Sequence, residues 1–334
     1  MLKLFDEQAK SYGAGCKVGV FLDYVSMPQR SRGSPEDDRT PEELATFKRS
    51  LQVRRRRPAA LPHRPPPTPA LPAPPLCQGI NLWYAHPQTH VLLVDTDLPA
   101  GAHTNVQPYA GRGWCVMERK ASGLVKHFEA LISLKGLTGE EPDLFQVLMN
   151  GKAAREPPMA PAAFASMLEA GVASGAIKFT NRGDVRLVAT IYGKAFAAEM
   201  AAVVALSYAG LGWDDAQGRT VCEALRAAHA GGGLRKVEGL NLMGNQMGDG
   251  AAAALAALLE EGAMPNLNVL GLSYNQIGDD GVAALASALR GGALPACMRI
   301  VLDDNPGSRA PVDEALASPE RAAALARRRD EPSA

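Results

Sequence analysis

Paired cysteines are missing from this chain. Cys16, Cys77, Cys115, Cys222 and Cys297 are scattered, odd in number and without C-x-x-C spacing. That pattern offers neither a disulfide framework nor a zinc site, and it fits a reducing compartment. Net charge is missing too: Lys+Arg and Asp+Glu both number 35, so nothing draws the chain as a whole to nucleic acid or to an acidic membrane. Long apolar runs are also lacking. The first residues, M-L-K-L-F-D-E-Q-A-K, hold no stretch of signal-peptide length. The most apolar segment, Leu187 to Tyr208, is interrupted by Lys194 and Glu199 and reads as a buried helix rather than a membrane span. A soluble, cytoplasmic protein without metal, membrane or nucleic-acid partner is expected. Its 334 residues suit two domains, or one with attachments.

What is present is a period. Asn245, Asn275 and Asn305 stand thirty residues apart, closing the phrases L-N-L-M-G-N, L-G-L-S-Y-N and I-V-L-D-D-N. The first two are followed by a glycine-aspartate turn and an alanine/leucine helix pattern, Gly248 to Leu258 and Gly278 to Leu289. A short strand, a turn asparagine and a helix at fixed spacing make a leucine-rich repeat, whose units bury their leucines only by stacking. The long unit with a full helix resembles the ribonuclease-inhibitor type. Leu240, Leu242, Leu270, Leu272, Ile300 and Leu302 should point inward, because side chains alternate along a strand. Asn241, Met243, Gly271, Ser273, Val301 and Asp303 then face the concave side and are the candidate partner-contact residues. Each asparagine is expected to bond backbone groups of the preceding turn. A degenerate unit comes first, through Leu206, Tyr208, Leu211, Ala224 and Leu225.

The N-terminal half alternates differently. Val18 to Asp23 and Val91 to Asp95 are short apolar runs ending in an acid, as buried parallel strands are. Pro41 to Gln52 reads as a helix with an acidic start and basic end, and Trp114 to Glu129 as a second, entered through Gly111-Arg112-Gly113. Residues 14–135 are therefore expected to form a small open α/β module, 136–205 a mainly helical connector with a hinge at Glu156 to Pro161, 206–310 the repeats, and 311–334 a frayed tail. Within the module, Val53 to Gln78 is proline-dense and opens with four arginines. It reads as a disordered loop, a ligand for SH3-like domains, a nuclear signal in its arginines, or, as we prefer, translated intron; the flanks Ser50 to Gln52 and Gly79 to Ala85 would join into one helix without it.

The phrase Tyr109-Ala110-Gly111-Arg112-Gly113-Trp114-Cys115-Val116-Met117-Glu118, after the strand ending at Asp95, resembles the W-C-x-x-E motif of Toll/interleukin-receptor (TIR) domains. The likeness covers roughly residues 18–130 without the proline-dense segment. The chain departs from that pattern at Arg112-Gly113, at Arg119 and in the loop after Asp23. The resemblance implies a flavodoxin-like open parallel sheet. It also implies, from TIR enzymes that cleave NAD, that Glu118 would be catalytic and that Asp23, Arg112 and Trp114 would line the ligand site. NAD would then be a substrate, with no resident cofactor, and a carboxylate beside the ribose suits cleavage of a glycosidic bond. The other reading makes Glu118 a first-turn helix acid and Trp114 and Cys115 core residues. His86 and His90 read as ordinary loop histidines. The expected function is protein interaction and signalling through the repeats, with NAD glycohydrolase activity at Glu118 as the alternative.

Overall fold

In the computed structural model, the described residues are 84–86, 89–93, 95, 108–127, 130–151, 155–179 and 183–330, all within the unit Tyr84–Ala334. The expected strand Val18 to Asp23, the helix Pro41 to Gln52, the segment 53–78 and the candidate ligand residue Asp23 lie outside them.

The described chain opens with a strand-helix-strand unit. Strand β1 (Val91–Leu93) is followed by a 3-10 turn at Tyr109–Gly111, helix α1 (Gly113–Ser122) and strand β2 (Leu131–Ser133). The strands pair in parallel, Leu92 opposite Ile132. A parallel pair needs a crossover, and α1 supplies it. This corrects the expected helix Trp114 to Glu129 at its end. It stops at Ser122 because the next backbone groups are engaged elsewhere: the Gly123 carbonyl accepts from the Arg155 side chain, and the Leu124 carbonyl from the Tyr208 hydroxyl. Strand β2 begins just past the expected helix end, at Leu131.

Helices α2 (Leu144–Gly151), α3 (Pro161–Ala173) and α4 (Asp184–Ala202) follow. Pro161 sits at the start of α3, where its missing N–H has no helical partner to lose. Phe164 of α3 stacks on Tyr192 of α4 with ring centroids 4.0 Å apart, and the Tyr192 hydroxyl donates to the Met159 carbonyl. Within the apolar stretch from Leu187, α4 buries Val188, Tyr192, Ala195, Phe196 and Met200 while Leu187 itself is exposed, and among the described residues no helix is long and apolar enough to cross a membrane.

The repeats form one parallel sheet in the order β3 (Ala205–Ser207), β4 (Gly239–Asn241), β5 (Val269–Gly271), β6 (Arg299–Val301). Helices α5 (Asp215–Ala230), α6 (Asp249–Glu260) and α7 (Asp279–Arg290) return the chain from each strand to the next. All six predicted inward leucine and isoleucine side chains are buried, none more than 3% exposed. The asparagines do what was expected of them. Asn275 Oδ1 accepts from Met247 N of the preceding unit, and its Nδ2 donates to the carbonyls of Leu242 and Leu272. Asn245 and Asn305 make the same pattern one unit earlier and one later.

The tail is a second correction. Residues after Pro311, expected to fray, continue into α8 (Ala310–Ala317) and α9 (Pro319–Asp330). Val312 and Ala315 are buried in the common core, and Arg321 donates to the carbonyls of Leu289, Ala293 and Leu294 at the end of α7. The last helix of the array is thereby capped rather than left open. One apolar core runs from Ala85 and α1 through α3 and α4 to Ala315, so the helices before the repeats share their interior.

Candidate functional site

Alternation along the strands places two rows of side chains on the concave side of the sheet: Ala205, Gly239, Val269 and Arg299, then Ser207, Asn241, Gly271 and Val301. Of the predicted contact residues, Asp303 is exposed and Asn241, Met243 and Val301 are half-buried. Gly271 and Ser273 are buried, contrary to the exposure a contact residue needs. For Gly271 the cause is the preceding unit: an added Cβ there would come within 3.2 Å of Asn241 Oδ1 and 3.3 Å of Met243 Cγ. Asn241 holds that arrangement, its Oδ1 accepting from Met243 N at 3.0 Å.

Beyond this floor stand side chains that sequence reasoning treated lightly. Tyr274 is 59% exposed, and Val269 and Met298 are also open to solvent. Tyr274 adopts a left-handed backbone (φ 57°) in the row Gly210, Gly244, Tyr274, Asp304, all at positive φ. Glycine occupies that conformation freely, whereas a bulky residue is strained in it. The Tyr274 hydroxyl is raised above its ordinary pKa by a hydrogen bond to Asp304 and by that carboxylate's charge. Arg309 closes the end of the row, bonding Asp303 at 3.2 Å and Asp313 at 2.8 Å. A second periodic row escaped the sequence reading: Leu234, Met264 and Leu294 are buried at positive φ before each strand. Their own thirty-residue spacing was the signal.

The phrase Tyr109 to Glu118 is assembled around α1. Its turn is pinned by Gly113 N donating to the Lys178 carbonyl and Lys178 N to the Gly111 carbonyl, with Arg112 bridged to Lys178 in parallel. Gly113 must be glycine, since a Cβ there would fall 2.0 Å from the Phe179 ring. Trp114 donates its indole N–H to Asp184 at the start of α4, 3.0 Å away, a packing duty. Glu118 is half-buried on α1. At the carboxyl end of β1, Asp95 accepts from the Ser133 hydroxyl at 2.7 Å and from Lys135 N. The Tyr109 hydroxyl is held far above its ordinary pKa, first by burial and then by Cys115, Glu118 and Asp95, against the opposing pull of Arg119. Asp95 and Glu118 therefore act on one half-buried tyrosine beside the strand ends. Among the described residues, no His/Cys/Asp/Glu group could hold a metal ion.

The Leucine Rich repeat family model matches residues 233–256 and 263–286. The two segments carry β4 with most of α6, and β5 with the first part of α7, so both are leucine-rich repeats by sequence as well as by structure. No curated protein matches the chain. Leucine-rich repeats serve protein interaction, and that coarse role is what the comparisons and the parallel array jointly support.

Proposed function

We propose that the chain binds a protein partner through the concave side of its repeats, with Met243, Val269, Tyr274 and Val301 as the apolar contacts and Asn241 and Asp303 at the polar rim. The observation that carries this is Tyr274. A large aromatic side chain held open to solvent on a strained backbone costs stability, and strain of this kind gathers at binding sites. Tyrosine is also a residue over which binding energy concentrates. The partner is one that lays an apolar side chain over Met243 and donates hydrogen bonds toward Asp303. Gly271 and Ser273 shape the floor without touching it. Affinity capture with the wild type, with Tyr274→Asp, and with Ala253→Asp on the exposed side of α6 tests the reading. A partner lost on Tyr274→Asp and kept on Ala253→Asp supports it; the opposite pattern overturns it.

A second reading rests on the acidic pair beside Tyr109. If Glu118 serves as the TIR resemblance implies, NAD is a substrate and the carboxyl ends of β1 and β2 form one wall of its crevice, as open α/β sheets arrange. Glu118→Gln should then abolish nicotinamide release while leaving NAD binding intact. Trp114 is spent on Asp184 in this arrangement, so only Arg112 remains, among the described candidates, to meet a phosphate.

A further inference from the structure

Charge on the concave side is gathered at one end. Asp303 follows β6, Asp304 is the next residue, and Asp313 approaches from α8. A single cation serves this group: Arg309 holds Asp303 at 3.2 Å and Asp313 at 2.8 Å. Asp304 instead accepts from the Tyr274 hydroxyl. Among the described residues, none of the three carboxylates forms an ion pair with any cation but Arg309. Three negative charges against one positive leave a formal excess of two.

The register of the sheet continues into this end. Gly244 N donates to the Ser273 carbonyl and Tyr274 N to the Asp303 carbonyl, so Met243, Ser273 and Asp303 stand side by side. Two strand spacings, roughly 10 Å, separate Met243 from Asp303. Between them Ser273 follows the inward-pointing Leu272 and is therefore turned to the concave side. It is 1% exposed, and its hydroxyl has no hydrogen-bond partner among the described residues. Buried polar atoms are almost always partnered, so an orphan hydroxyl between an apolar and an acidic neighbour points to a polar group that arrives from outside.

We infer that the partner, on the reading proposed above, is a basic protein segment that presents an arginine to this end of the concave side. Its guanidinium lies over the Tyr274 ring and bonds Asp303 and Asp304; an apolar side chain of the same segment, roughly 10 Å away, covers Met243. Ser273 stays out of direct contact and is joined to the guanidinium by one water, admitted as the flexible Met243 gives way. Arginine fits better than lysine, because a planar fork both stacks on an aromatic face and meets carboxylates with paired donors. Tyr274 is placed for this, its hydroxyl tied to Asp304 while most of the residue stays exposed. A phosphate-bearing partner would meet like charge here instead.

The test is titration of the full chain, carbon-13 labelled at its methionine methyls, with the acetylated and amidated peptide Leu-Gly-Gly-Arg-Gly-Gly-Leu and with its glutamine counterpart. The Met243 methyl, identified by Met243→Leu, should shift saturably with the arginine peptide. The glutamine peptide should bind roughly tenfold more weakly, the loss expected of an exposed charge pair together with a cation–π contact. Asp303→Asn combined with Asp304→Asn should bring the arginine peptide down to the glutamine level; Asp304→Asn alone replaces the pair if circular dichroism shows the double variant unfolded. Glu223→Gln, on the exposed side of α5, should leave binding unchanged. Equal binding of the two peptides would overturn the inference while leaving the concave contact surface standing. An arginine peptide indifferent to the two aspartates, or as sensitive to Glu223 as to them, would overturn it too. So would a Met243 methyl that neither peptide shifts, and the capture experiment with Tyr274→Asp then decides the surface reading separately.

Discussion

Asn275 joins two units with one amide. It is 2% exposed, and removing its side chain strands Met247 N and takes one of two amide donors from the carbonyls of Leu242 and Leu272, which keep Asn245 and Asn305. Each buried group left unpaired costs about 1–3 kcal/mol. Asn275→Ala should therefore lower stability by roughly 2–4 kcal/mol, and Asn305→Ala, at a half-buried position, by less; urea denaturation of the two variants checks the order. Lys126 is costly for another reason. It is wholly buried, donating to the carbonyls of His86 and Thr89, and its pKa is lowered to about 7, first by burial, with Arg155 acting in the same direction and Glu199 against it. In the unfolded chain the ordinary value is about 10.4. Between these values the unfolded chain holds more protons, so the lysine's contribution to stability improves as pH rises above about 7. Lys126→Met should remove that rise, read as the wild-type minus variant difference in unfolding free energy from pH 7 to pH 9.

At the scale of the element, the glycine-aspartate turn is a ladder between helices. Asp215 at the start of α5 accepts from Gly248, Gly250 and Ala251 at the start of α6; Asp249 accepts from Gly278 and Gly281 at the start of α7; Asp279 accepts from Ser308 N. Each aspartate therefore caps the helix after its own, where N–H groups lack partners and negative charge is favoured. This explains the glycines, since a Cβ on Gly281 would lie 2.6 Å from Asp249 Oδ1. Asp249→Ala should cost about 1–2 kcal/mol, as lost caps do. Gly278→Ala, whose added Cβ would have three Asp249 atoms as its nearest neighbours, the first at 2.9 Å, should destabilise the wild type yet cost markedly less in the Asp249→Ala background, a non-additivity that thermal unfolding of the four proteins of the cycle would reveal.

For the whole molecule, legibility follows the range of the forces involved. The repeat could be read because its contacts recur at thirty residues: the leucines, the asparagines and the aspartate ladder all meet their counterparts one unit away. The degenerate first unit was visible through Leu206 and Tyr208 although Leu211 stands where the later units have asparagine. The region around α1 was legible only in pieces. Gly123, just past Ser122 and the cap of that helix, was a local stop signal that the sequence reading passed over; Arg155, thirty-two residues on, reinforces it by donating Nε and Nη2 to the Gly123 carbonyl.

Arg155 also binds this region to the repeats. Its Nη1 donates to Ser207 O on the outer strand β3 at 2.8 Å, its guanidinium lies 4.7 Å over the Tyr208 ring, and its own carbonyl accepts from the Trp213 indole. At 8% exposure it pairs the Ser207 carbonyl on the edge strand, where unpaired backbone groups would otherwise invite another chain. Arg155→Met keeps the bulk but strands the carbonyls of Gly123 and Ser207, at a cost of about 2–5 kcal/mol. The loss should fall on coupling as well as on stability. With Trp83 and Trp213 replaced by phenylalanine, Trp114 alone reports on α1, while far-UV circular dichroism is weighted toward the repeats. In that background the two urea transitions should coincide when Arg155 is present, and the Trp114 transition should come first in Arg155→Met. Coincident transitions in the variant would mean that the shared apolar core, rather than this one side chain, holds α1 to the array.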